Sequence, residues 1–185
     1  PATYVERCVI DAIRHDITIY AAHTNMDVVS NGVSGRMADK LDLYHRQILQ
    51  PEGDPMTGNG FGIIGELQHP VESMAFLQQI KEIFRCDRLR YTTPHILSIQ
   101  RVAVCGGAGA SFFKQALAGQ ADIYISGDFK YHDFFLTENR IMIADIGHYE
   151  SEQFTKEIFY EILTKKISKF AVQFSEINTN PIKYL

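Results

Sequence analysis

Two histidine–carboxylate pairs stand out among the 185 residues, each at the end of an apolar run. In IYAAHTNMD the pair is His23 and Asp27; in MIADIGHYESE it is His148 and Glu152. Where the chain turns helical after such a run, an i to i+4 spacing puts both side chains on one helix face, close enough to share one ion. Imidazole with carboxylate suits Zn, Mn, Fe or Ni better than Mg or Ca, which favour shells made of oxygen alone. A plainer account fits the second pair taken by itself. Glu152 would sit in the first turn of a helix, where a carboxylate complements the dipole by about 0.3–1 kcal/mol, and His148 would merely end a strand. A second pair of the same type at an equivalent junction is less easily accidental. In open α/β sheets ligands gather at the carboxyl ends of strands, where side chains face a crevice instead of the core.

Other groups are weaker candidates. SGDFKYHDFF brings Asp128, Lys130, His132 and Asp133 close in sequence, enough for general acid/base work with a cation for an anionic substrate. The same stretch reads equally well as a polar loop whose Asp133 caps the next short helix. The turn CGGAGAS could offer backbone N–H groups to a phosphate at a helix start. It lacks the GK[ST] ending of a P-loop and a full GxGxxG, so a tight strand-to-helix turn is the better reading. His15, His45, His69 and His95 have no acidic or cysteine partner at a ligand spacing, and Cys105 reads as a buried structural thiol.

The elements that must position these groups follow from periodicity. A helix is predicted from Tyr4 to Arg14, with Val5, Cys8, Val9 and Ile13 on one face, followed by a strand over DITIYAA. A further helix lies around Gly35 to Leu43, and QPEGDPMTGNGFG then gathers turn residues as a linker or long loop. VESMAFLQQIKEIF has helical spacing. The stretch from SIQRVAV to IYISGD alternates strand, glycine turn, helix and strand, as a βαβ unit with a parallel strand pair does. EQFTKEIFYEILTKKI is a helix, and FAVQFSEI an alternating strand. The class is α/β.

Composition narrows the function. With 45% hydrophobic residues the chain can bury a core, and a net charge of −4 without a basic block argues against nucleic acid as a partner. Three widely spaced cysteines form neither a disulfide framework nor a CxxC pair, which points to a reducing cytoplasm. No apolar run is long enough for a membrane span, and PATYVERCVI has no signal-peptide pattern.

Taken in order, AAHTNMD, GFGIIGEL, VAVCGGAGAS, GDFKYHD and ADIGHYESE resemble the Nif-three-like family, whose members carry the label GTP cyclohydrolase 1 type 2 homologue. The resemblance extends from YVERCVIDAI to NTNPIKYL. It implies an α/β fold of two similar lobes with mixed or parallel sheets, 1–57 being the remainder of the first lobe and 58–185 the second. It also implies a homohexamer, and two divalent ions per protomer in the complete family fold. Asp27, His148 and Glu152 match the family's metal ligands, and His23 looks like a further ligand or a group that orients one. One family motif, an adjacent His-His-Pro, does not occur in this sequence, so the first lobe is expected to be truncated and the ions short of protein ligands. The function implied is that of a metal-dependent hydrolase, in which a metal-activated water attacks a nucleotide or other phosphorylated substrate. Lys130 and His132 are its candidate catalytic groups. The alternative is a non-catalytic metal-binding scaffold or protein-interaction module.

Overall fold

The computed structural model describes residues 2–185. Its centre is one six-stranded sheet in the order β1-β2-β4-β5-β6-β3. The strands are β1 (Tyr44–Pro51), β2 (Gly60–Glu72), β3 (Arg90–Tyr91), β4 (Ser98–Val104), β5 (Ile123–Ser126) and β6 (Met142–Asp145). The helices are α1 (Tyr4–Arg14), α2 (Thr24–Asp27), α3 (Val33–Lys40), α4 (Ser73–Ile83), α5 (Phe113–Ala118), α6 (His148–Glu152) and α7 (Thr155–Lys166).

The sheet is mixed, which the α/β class allows. β4, β5 and β6 run parallel, with Ala103 opposite Tyr124 and Tyr124 opposite Ile143. Both faces of these strands are covered, so they read as near-continuous apolar runs. Val102, Val104, Ile123, Ile125, Met142 and Ala144 pack on one face with Met37 of α3 and with Phe76 and Ile80 of α4. Ala103, Tyr124, Ile141 and Ile143 pack on the other with Phe113 and Ala116 of α5. The βαβ unit of the sequence reading is present, β4 and β5 flanking α5.

The loop between Pro51 and Gly60, read from the sequence as a linker or long loop, connects a hairpin: β1 pairs antiparallel with β2, Ile48 opposite Ile63. Both of these strands escaped the periodicity reading, because turn residues surround them. Two predicted strands are absent. Residues 17–22 and 171–185 run without a ladder. β-branched composition suits a pleated surface, but a strand needs a neighbour to satisfy its backbone. Ile17, Ile19 and Tyr20 are accordingly exposed, as are Phe170 and Ile177.

Helix α1 begins where predicted. The Thr3 hydroxyl accepts from the Glu6 N–H at 3.2 Å, and the Glu6 carboxylate accepts from the Thr3 N–H at 3.3 Å, a reciprocal cap. Among the described residues no helix is long and apolar enough to cross a membrane.

Candidate functional site

The buried carboxylate of Asp145, the last residue of β6, organises the turn that follows. Its oxygens accept from Gly147 N–H at 3.0 Å and Phe129 N–H at 3.3 Å, and it pairs with Arg90. Gly147 then takes φ +92°, which permits the sharp entry into α6. Helix α6 starts at His148 and ends at Glu152, so the i to i+4 geometry is realised: His148 Nε2 lies 3.3 Å from Glu152 Oε1. Glu152 closes this helix instead of opening one, which removes the dipole explanation for its position.

A second carboxylate sets the imidazole. Asp128, at the end of β5, places Oδ2 2.7 Å from His148 Nδ1. With Nδ1 tied to a carboxylate, Nε2 is left directed toward Glu152, an arrangement that metal-binding histidines commonly use.

Across from the pair lies the glycine turn after β4. Gly107 has φ +63°, and a Cβ there would lie 2.4 Å from Glu152 Oε1 and 3.4 Å from His148 Nε2. Only glycine lets the turn approach this closely. Ser151 stitches the two elements together, its hydroxyl accepting from Gly107 N–H at 2.8 Å and donating to the His148 carbonyl at 2.8 Å. Gly106 N–H donates to Ser34 at 3.2 Å and Gly109 N–H to Ser126 at 3.0 Å. These three amides are therefore engaged within the protein, as in a tight strand-to-helix turn.

The pair borders a cavity of about 320 Å³ lined also by His23, Asp27, Cys105 and Gly107. Phe61 and Phe112, stacked with centroids 5.1 Å apart, line it as well. His23 and Asp27 reach it from the N-cap position and last residue of α2. The sequence thus brings both histidine–carboxylate pairs to one cavity. Lys130 and His132 do not line it; they sit exposed on the turn Tyr131–Thr137 and its approach, where Asp133 accepts from Lys130 N–H at 2.7 Å.

The electrostatics are those of a site short of positive charge. Burial pushes the carboxyls of Asp27 and Glu152 above the usual carboxylate range, and the attraction of His148 and His23 only partly offsets it. Burial also acts against the His148 imidazolium, but the Asp128 hydrogen bond and the charges of Glu152, Asp128 and Asp27 outweigh it and raise its pKa. Burial pushes the Cys105 thiol up to about 11, so the thiolate is scarce at neutral pH.

The donors are right in kind for a borderline transition metal, and His148 with Glu152 forms a ready bidentate pair. Among the described residues no three His, Cys, Asp or Glu side chains converge to hold an ion. Asp27 shares the cavity without closing on the pair, and the fit is partial.

Sequence reasoning missed the role of Asp128, grouping it with Lys130 and His132 instead of with His148. Its signal was positional: GD follows β5 directly and GH follows β6 after Ile146, on adjacent parallel strands. Ser151 and Gly107 gave no signal of their own.

The model of the Duf34/NIF3 (NGG1p interacting factor 3) family matches residues 2–181. The chain belongs to this family. Among Duf34/NIF3 relatives, a Streptococcus pneumoniae protein named GTP cyclohydrolase 1 type 2 homolog is 36% identical, covering 95% of this chain and 68% of its own length. A Lactococcus lactis protein of the same name is 32% identical over 95% of this chain and 67% of its own. In fold, a Staphylococcus aureus hypothetical protein superposes with a TM-score of 0.89 at 24% identity, over 100% of this chain and 74% of that one. A Bacillus cereus protein related to NIF3 gives 0.83 at 20% identity, over 97% and 76%. These likenesses show the Duf34/NIF3 fold.

Proposed function

We propose that this Duf34/NIF3 chain contributes the site of a metal-dependent hydrolase that opens or cleaves a flat heterocyclic substrate. The observation that carries the reading is the chain of contacts Asp128–His148–Glu152 at a cavity shared with Asp27 and His23. His148 Nε2, Glu152 and Asp27 would hold the ion, with His23 as a further ligand. A Zn, Mn, Fe or Ni ion bound there would supply a water of lowered pKa and polarise the substrate. The complete family fold would carry two ions per protomer.

The protein's own groups set up the rest. Asp128 holds the imidazole in one tautomer and orientation. Glu152, 3.3 Å from His148 Nε2, would present its carboxylate beside the imidazole as the second donor of the pair. Phe61 and Phe112 give a ring something to stack on. The name shared by the relatives points to a guanine nucleotide, whose ring fits this description. No Lys or Arg lines the cavity among the described residues, so a nucleotide would present its ring to the pair and its phosphates to solvent. Lys130 and His132 could meet phosphates only from outside the cavity.

A second reading, a metal-binding scaffold or protein-interaction module in a cytoplasmic homo-oligomer such as a hexamer, is favoured by the incomplete convergence of donors. Elemental analysis of the purified chain and of His148→Ala and Glu152→Ala, with mass by light scattering, separates the readings. Metal present in the parent and lost in both variants supports the site, and turnover of GTP by the loaded protein then supports the hydrolase. Metal without turnover across a nucleotide panel supports the scaffold. A parent chain that takes up no Zn, Mn, Fe or Ni would end the hydrolase reading and favour the protein-interaction module.

A further inference from the structure

A cavity of about 530 Å³ lies at the β3 edge of the sheet, away from the histidine–carboxylate pair. Its walls come from the segment after β3 and from the turn Tyr131–Thr137 with the two residues that follow it. Four aromatic side chains line it: Tyr91, Tyr131, Phe134 and Phe135. Tyr131 is 71% exposed and Phe135 65%, and their rings make a corner, centroids 5.4 Å apart at 69°. Leaving that much aromatic area in water is unfavourable at roughly 25 cal/mol per Å².

Its charge selects among ligands. No Lys or Arg lines it among the described residues; His95 lines it, its Nδ1 3.3 Å from the Thr93 carbonyl, and the one carboxylate on its wall is the exposed Glu138, held by Arg140 at 2.9 Å. Phosphates and carboxylates therefore meet no permanently charged cation inside. The wall already receives a cation from behind: the Arg90 guanidinium carbon lies 5.4 Å from the centroid of Phe134. That distance falls within cation–π range, where aromatic clusters also recognise alkylated ammonium groups. Glu138 and Asn139 both adopt left-handed backbone, with φ +44° and +57°, so the rim is held in a conformation that side-chain-bearing residues rarely adopt.

We propose that this cavity binds a small organic cation, an alkylated ammonium or a protonated ring amine, against Tyr91, Tyr131 and Phe135 with Glu138 at the rim. The site is independent of the metal reading. A ligand of this size needs only part of the volume, and an aromatic wall with one carboxylate distinguishes it from a neutral molecule of the same shape by charge alone.

The test is calorimetric titration of the purified chain with choline and with 3,3-dimethylbutan-1-ol, its uncharged isostere. Choline is expected to bind about threefold to fivefold more tightly than the alcohol. Phe135→Leu, at an exposed position and therefore safe for folding, should weaken choline binding by a similar factor with an unchanged circular dichroism spectrum. Glu138→Gln should weaken choline and leave the alcohol unaffected. Choline binding that equals that of the alcohol, or no choline binding at all, overturns the proposal. So does self-association in light scattering that Phe135→Ser dissolves, because the aromatic cluster would then serve a second copy of the chain.

Discussion

Asp128 Oδ2 and His148 Nδ1 lie 2.7 Å apart, joining the ends of two adjacent parallel strands through side chains. The contact fixes which imidazole nitrogen faces Glu152. Replacing Asp128 with Asn removes the charge that favours Nδ1–H and leaves the ring free to flip. Metal affinity, measured by competition with a chromophoric chelator, should fall about 10–100-fold, the usual effect of losing such an orienting partner. An unchanged affinity would mean that His148 needs no orientation, or that it does not ligate.

Gly107 and Gly58 share a left-handed backbone, φ +63° and +64°, but differ in surroundings. A Cβ at Gly58 would meet nothing within 4 Å, whereas at Gly107 it would strike Glu152 Oε1. Gly58→Ala should cost only the conformational term, about 1–2 kcal/mol. Gly107→Ala should cost more, since the Glu152 carboxylate must also swing away from the added methyl and from His148 Nε2. Urea unfolding of both variants measures the difference, and equal losses would show that the close approach carries no energy.

Ser151 is 1% exposed and uses its hydroxyl twice, toward Gly107 and His148. In Ser151→Ala the Gly107 N–H stays buried without an acceptor. A loss of about 1–3 kcal/mol is expected in chemical denaturation. Ser151→Thr, which keeps the hydroxyl, should recover part of it; failure of any loss to appear would place the anchoring elsewhere.

Glu72 caps α4, its carboxylate accepting from Met74 N–H at 3.0 Å and Ala75 N–H at 2.8 Å. These two bonds, that from Met74 first, hold its carboxyl below the usual carboxylate range. A folded-state pKa below the unfolded one stabilises the protein above the unfolded value, about 4.3, and the benefit is lost as pH falls through the folded value. The stability gap between the parent and Glu72→Gln should therefore be present at neutral pH and narrow on acidification toward about pH 3. Urea midpoints at both pH values check the sign. A gap that widened in acid would contradict it.

Local pattern made much of the fold legible. The apolar runs VAV and IYI read as strands, and their spacing around FFKQALA read as a parallel unit, because parallel neighbours need a crossover. The helices α1, α4 and α7 announced themselves by apolar residues at 3.6-residue period. Illegible were the outcomes that depend on partners distant in sequence. DITIYAA and FAVQFSEI have strand composition, yet pairing is a property of the neighbour, and neither finds one among the described residues. β1 and β2 have weaker composition but find each other across a hairpin.

The candidate site divides in the same way. His148 with Glu152 was readable because four residues on a helix are a fixed distance, and any helical continuation after β6 had to bring them together. The meeting of His23 and Asp27 with that pair, the choice of Asp128 over Lys130 or His132 as the imidazole's partner, and the serine bonds that engage the glycine-turn amides were set only in three dimensions. Sequence by itself determined the chemistry available and the local geometry of each motif, since both follow from residue type and helical or strand period. The tertiary structure decided which motifs face one cavity, since strand order and sheet register bring together side chains that stand tens of residues apart in the chain.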